Sequence, residues 1–216
     1  QVPDIQTLEG RYGFKGPFFF LPNHFWIHKN HGLVLEALAI LKTQGLRVQV
    51  LATGNTADYR HQDYFTDLMR QAQELGVASD FKVLGVIPYD DILALLHHSL
   101  ALINPSLFEG WSSTVEEAKA LGKKIVLSDL PVHREQDPRR GVFFDPHEAG
   151  ALARALRQVE AAHNPEEEAA MAEQARQEAR QRWQAFGEQY QGLVLEFAPH
   201  GQKPGLAASP APGGRA

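Results

Sequence analysis

The chain has 216 residues, 44% of them apolar and 22% charged, with a formal net charge of -5. This balance suits a soluble globular protein, and without a global basic field neither nucleic acid nor an anionic membrane is indicated as a bulk partner. With no cysteine in the sequence, disulfides, zinc–thiolate sites and thiol nucleophiles are all excluded.

Residues 1–10 show no basic stretch followed by an apolar one, so no signal peptide is visible. The start lacks Met and is expected to be that of an excised fragment. No apolar run approaches the roughly 20 residues of a membrane-spanning helix. Residues 18–21, three phenylalanines and a leucine, read as a buried strand that ends in a turn at Pro22 and Asn23. Leu33, Leu35, Ala37, Leu38 and Leu41 then take helical spacing, with Gly45 as the stop. A second strand is expected over 48–52 and a helix over 59–75. A third strand over 81–84 precedes a short helix over 90–97, and a fourth over 101–103 precedes a helix from 114 to Gly122. Strands over 125–127 and 142–144 and a helix over 147–161 complete the alternation.

Strands that are apolar on both faces and alternate with helices predict an α/β fold: a Rossmann-like, doubly wound parallel sheet of about six strands. Beyond Asn164 the composition turns to Ala, Glu, Gln and Arg, predicting helices over 165–183 and 186–197. Glu166, Glu167 and Glu168 suit the positive end of the first helix dipole and read as a solvated face. The expected divisions are a linker or remnant over 1–16, a nucleotide-binding domain over 17–164, packing helices over 165–198 and a flexible tail over 199–216.

The densest signal is PSLFEGWSSTVEEAKALG, between the fourth strand and its helix, at the sheet edge where open α/β folds bind ligands. A helix N-terminus there offers unpaired N–H groups to a phosphate. Glu109 in the loop and Glu117 in the first turns could both face a pocket and accept hydrogen bonds from sugar hydroxyls. Ser113 and Glu116 match a capping box, which gives Glu116 a structural reading.

Glu109 and Glu117 together resemble the E-x7-E motif of retaining GT-B glycosyltransferases, in the group 1 family that includes many bacterial mannosyltransferases. LPNHFWIHKNHGLVLEAL, LGVIPYDDILALL, LSDLPVHREQ and GVFFDP agree with it in order and spacing. The resemblance implies one half of a GT-B fold, the half that binds a nucleotide-diphosphate sugar, with GDP-mannose favoured and a UDP-sugar next. It implies that Glu109 contacts the donor sugar, Glu117 the ribose, and Lys29 the diphosphate. Ser112, Ser113 and Thr114 would bind the distal phosphate through their backbone, and Val86 would meet the base. Gly110, Trp111, Gly54 and Asn23 join the binding set. No metal and no separate cofactor are expected. The acceptor, a glycan or lipid-linked sugar, would be bound by an N-terminal domain absent here, so the chain alone is expected to turn over little or nothing. A cytoplasmic location is expected, with peripheral membrane association of the full-length enzyme open.

Relatives often carry a basic residue a few positions before the equivalent of Lys29; here that stretch is Pro22 to His28, and only His24 or His28, when protonated, would supply a second cation. Phe25 and Trp26 line a cleft or pack beneath the next helix, and His133 reads as functional or as loop structure. The alternative readings are a non-catalytic nucleotide-binding module and another sugar-nucleotide enzyme, such as an epimerase, on the same scaffold.

Overall fold

The computed structural model describes residues 3–197. Its strands are β1 (Phe18–Pro22), β2 (Gln49–Thr53), β3 (Phe81–Gly85), β4 (Leu102–Asn104), β5 (Ile125–Ser128) and β6 (Gly141–Phe144), each within a residue of its expected span. All pair in parallel in the order β3-β2-β1-β4-β5-β6. The doubly wound α/β fold expected from the sequence is therefore the fold observed.

The strand alternation explains why both faces are covered. Phe18 and Phe20 enter one core with Leu51, Leu102, Ile125 and Leu127, while Phe19 and Leu21 enter the other with Val50, Ala52, Ile103 and Val126. The second core is roofed by α2 (His31–Thr43), α3 (Tyr64–Glu74) and α7 (Ala149–Ala161), whose apolar stripes supply Leu35, Leu68 and Leu156. The first is roofed by α4 (Tyr89–His98) and α5 (Ser113–Ala120) through Leu95 and Val115.

Two helices escape the sequence pattern. The segment read as a linker folds as α1 (Ile5–Tyr12), capped by Asp4 on the Thr7 N–H and closed by Gly13 in the left-handed region. Its one fully buried apolar side chain is Leu8, too little for a periodic signal. It is held instead by charge: Arg11 and the Tyr12 hydroxyl both donate to the buried Asp91 of α4. The loop after β5 contains α6 (Pro131–Gln136), a helix too short to display a period. In contrast, α3 starts five residues later than expected, because Asp58 holds the chain in a turn: its Oδ1 accepts the Arg60 N–H at 3.0 Å and its carbonyl the His61 N–H at 3.1 Å.

The two helices expected after Asn164 are one, α8 (Pro165–Phe197), uninterrupted at Trp183 to Phe186. The chain divides into two compact units within it, the first ending at Gln177. In the first unit the expected solvated acidic face is an ion-pair cluster. Glu168 lies 2.7 Å from Arg140, 3.2 Å from Lys124 and 3.6 Å from the buried Lys123. Glu167 adds a 2.8 Å bond to Arg140. In the second unit residues 178–197 are helical, with Trp183, Phe186, Tyr190 and Phe197 exposed. The expected tail over 199–216 lies outside the described residues. No described helix is long and apolar enough to cross a membrane.

Burial pushes the Glu168 carboxyl up, but the Arg140 hydrogen bonds and the charges of Lys123 and Arg140 outweigh it and hold it at about 2, against an ordinary value of 4.5. Its contribution to stability is thus complete above pH 4.5 and is lost as the pH falls toward about 2. Glu168→Gln is expected to cost about 2 kcal/mol at pH 7. Urea unfolding across a pH series should show the variant losing less stability than the parent between pH 5 and about 3.

Candidate functional site

The order of the sheet reverses between β1 and β4, so the loops leaving their carboxyl ends run to opposite sides and open a crevice between them. Lys29 lies in the first loop and Glu109 in the second, and their side chains meet across it at 2.7 Å. Both are largely buried, with 14% and 8% of the side chain exposed.

Three donors converge on Glu109 Oε1: Lys29 Nζ at 2.7 Å, Ser106 Oγ at 2.7 Å and, more weakly, Asn104 Nδ2 at 3.5 Å. Burial raises the Glu109 carboxyl, yet the Lys29 and Ser106 bonds keep it below the ordinary carboxylate value. It is therefore ionised at neutral pH, and the pair carries no net charge.

The register of this contact is set by backbone and amide groups. A 3-10 turn, Ile27–Lys29, ends at Asn30, which adopts the left-handed conformation with φ 58°. Asn30 Nδ2 donates to the carbonyls of Pro105, at 3.1 Å, and Pro146, at 2.9 Å, joining the loops after β1, β4 and β6. The Leu107 N–H donates to His28 O at 2.8 Å. The two carbonyls that Asn30 binds lie far along the chain and leave no local trace in the sequence.

Helix α5 starts differently from the expected capping box. Its N-cap is Ser112, whose side chain makes no capping bond. Ser112 Oγ accepts instead from Asn104 Nδ2 at 2.9 Å and lies 3.1 Å from Thr114 Oγ1. Glu116 turns outward to α6, accepting from Gln136 Nε2 at 2.9 Å and Lys119 Nζ at 3.1 Å. Gln136 also bonds the Ser112 carbonyl at 2.9 Å. The cap falls on Ser112 rather than Ser113 and Glu116 is engaged elsewhere, so the first-turn N–H groups at Ser113 and Thr114 keep no side-chain acceptor at the cap. Gly110 and Trp111 lie exposed just before it.

Glu117 faces the loop after β3. The Tyr89 hydroxyl donates to Glu117 Oε1 at 2.9 Å, an anchor absent from the sequence reading. Val86 lies in that loop, 78% exposed. Asn23 and Gly54 meet just past the ends of β1 and β2: Gly54 has φ 140°, and a Cβ there would lie 2.5 Å from the Asn23 carbonyl oxygen. Only glycine permits that approach.

The open alternatives resolve separately. Phe25 is buried, stacked on His31 with ring centroids 4.4 Å apart, so it packs. Trp26 remains partly exposed at the loop. His133 is buried in α6 with its Nδ1 at 2.7 Å from the Ser128 carbonyl, a structural bond. Among the described residues, no group of three His, Cys, Asp or Glu side chains could hold a metal ion.

Residues 9–178 match the family described as glycosyl transferases group 1. A curated relative, the O-antigen chain mannosyltransferase RfbU of Salmonella typhimurium, is 22% identical over 147 residues, covering 68% of this chain and 39% of the relative. Among solved structures, HepE of Anabaena in complex with UDP is similar at a TM-score of 0.71 and 23% identity, over 89% of this chain and 52% of that one. A glycosyltransferase from Rickettsia africae gives a TM-score of 0.67 at 18% identity, over 80% of this chain and 45% of that one. The chain therefore spans about half the length of these relatives or less.

The Asn30 joint can be probed directly. Asn30→Ala is expected to lose two hydrogen bonds and to place a Cβ residue without local compensation in the left-handed region, costing about 2–3 kcal/mol. Asn30→Gly should restore about 1 kcal/mol of that; chemical denaturation of the three proteins compares them.

Proposed function

Because this chain belongs to the glycosyl transferases group 1 family, we propose that it is the donor-binding domain of a retaining GT-B hexosyltransferase. The observation that carries this reading is the Lys29–Glu109 contact across the reversal of strand order, next to the uncapped start of α5.

Three chemical tasks divide among the residues. The diphosphate of a nucleotide sugar is bound by Lys29 and by the backbone N–H groups at Ser112, Ser113 and Thr114, where the helix dipole adds partial positive charge. Glu117, pre-positioned by Tyr89, accepts from the ribose hydroxyls, with the base near Val86 and with Asn23 and Gly54 shaping the floor. Glu109 accepts from hydroxyls of the donor sugar, fixed by its three donors; Gly110 and Trp111 border the same space.

During transfer the bond from the sugar's anomeric carbon to the phosphate oxygen breaks, and the nucleoside diphosphate leaves with the electron pair. An acceptor hydroxyl then bonds to that carbon on the same face, and its proton passes to the departing phosphate. Donors preorganised toward the growing phosphate charge contribute several kcal/mol in such steps, on the order of 3 each. The proposed site needs no metal and no separate cofactor.

The name of the Salmonella relative favours mannose, and with it GDP-mannose; the UDP held by the Anabaena structure favours a UDP-sugar. We give GDP-mannose precedence because the motifs around Lys29 and His133 agree with the mannosyltransferase branch. The acceptor, a glycan or lipid-linked sugar, is assigned to a further domain, in keeping with relatives about twice as long as this chain. We assign the full enzyme to the cytoplasm as part of this reading, with a lipid-linked acceptor met at the inner face of the membrane.

Calorimetric titration with GDP, UDP and ADP is expected to show saturable binding of one of them, weakened at least about tenfold, or about 1.4 kcal/mol, by Glu117→Ala and by Lys29→Ala. Since removing Lys29 leaves Glu109 unpaired, both variants are compared at temperatures where circular dichroism shows them folded. Equal binding by the parent and both variants would contradict the site. Sugar transfer by the chain alone would contradict the assignment of the acceptor elsewhere.

A further inference from the structure

The loop between β2 and α3 holds a cation that the donor site above does not use. Arg60 follows Asp58, which is only 3% exposed, and Asp58 Oδ1 accepts both the Arg60 N–H at 3.0 Å and its Nε at 3.1 Å. The guanidinium lies 5.3 Å from the centre of the Trp26 ring and 5.4 Å from that of Tyr59. Only Nε is spent on Asp58; among the described residues neither Nη1 nor Nη2 of Arg60 has a protein partner. The planar end of the side chain is thus fixed in place while its two terminal nitrogens remain open.

This arrangement stands beside the candidate site. Trp26 lies three residues before Lys29, and its ring is 5.6 Å from that of His28. The Trp26 ring therefore stands between the Arg60 guanidinium and the ring of His28, the neighbour of Lys29. The charge balance there is short of a cation. Lys29 is neutralised by Glu109 at 2.7 Å, and burial together with the Lys29 charge pushes the His28 imidazole down, so it stays neutral. Arg134, in the last turn of α6, is already paired through two bonds to Asp129, at 2.7 and 2.8 Å.

We propose that Arg60 is the cation of a phosphate-binding subsite beside the Lys29–Glu109 pair, with Asp58, Trp26 and Tyr59 as its positioning residues. The inference rests on the donor-site reading for its place in the reaction, but not for its chemistry. A guanidinium with two parallel N–H groups free fits two oxygens of one phosphate group, whereas a lone ammonium offers only a point charge. Tyr59, 84% exposed, gives the adjoining sugar or ribose an apolar face. The phosphate is either the diphosphate of the donor or a phosphate carried by the acceptor.

The chain is titrated with inorganic pyrophosphate, with the preferred nucleoside diphosphate and its parent nucleoside, and with glucose 6-phosphate at saturating nucleotide. Arg60→Ala, the charge-conserving Arg60→Lys and the parent are compared at matched circular dichroism. The expected result is at least a fivefold loss of pyrophosphate affinity in Arg60→Ala, partly restored in Arg60→Lys, with a shallower dependence on salt. A matching loss for the nucleoside diphosphate but not the nucleoside assigns the subsite to the donor. A loss confined to pyrophosphate and glucose 6-phosphate assigns it to the acceptor. Arg60→Ala equal to the parent in every titration overturns the proposal, as does a parent that binds none of the phosphates. A parent that binds pyrophosphate but no nucleotide overturns the donor-site reading alone, and the Arg60 comparison still stands.

Discussion

Between β1 and β4 the strand order reverses: the chain passes from β1 outward to β2 on one side, and from β4 outward to β5 on the other. Loops leaving two such strands diverge, and the space between them is bounded by main chain on both sides. The remaining features of the site are consequences of how that space is bridged. Lys29 and Glu109 span it with a charge pair, Asn30 ties its walls to the loop after β6, and the Leu107 N–H bonds His28 O. The double core beneath supplies the rigidity: with Phe18 and Phe20 on one face and Phe19 and Leu21 on the other, β1 has no side free to shift.

The electrostatics follow from this geometry. A carboxylate as buried as Glu109 would resist ionisation if left alone, and an unpaired ammonium there would be equally costly. Held together they form a neutral, preorganised pair that a diphosphate can enter by competing for Lys29, while Glu109 retains Ser106 and Asn104 as donors. The start of α5 complements the pair because Ser112 is drawn into a bond with Asn104 and Glu116 into one with Gln136 rather than into capping. Sequence rules that assign Glu116 to a cap therefore miss a choice made by tertiary contacts.

How much of this could be read from the sequence depends on whether the signal is local. The strands were legible because each is a short apolar run bounded by turn residues, and so their spans agree with the structure to within a residue. Helix α1 was not, since Asp91 far along the chain does much of the work of holding it. The acidic run at Glu166 to Glu168 looked solvated because its partners, Lys123, Lys124 and Arg140, sit on other elements. Within the site, Glu109 and Glu117 are marked by their place at the sheet edge and, with Lys29, by motif resemblance, whereas the anchors Asn30, Ser106 and Tyr89 are defined by contacts that only the folded chain creates.

The most direct test of the account is a crystal structure of this chain soaked with a nucleoside diphosphate sugar. The account predicts diphosphate density between Lys29 and the first turn of α5, the ribose against Glu117 and the sugar against Glu109. Density for the nucleotide at another edge of the sheet, with the Lys29–Glu109 pair undisturbed, would contradict it.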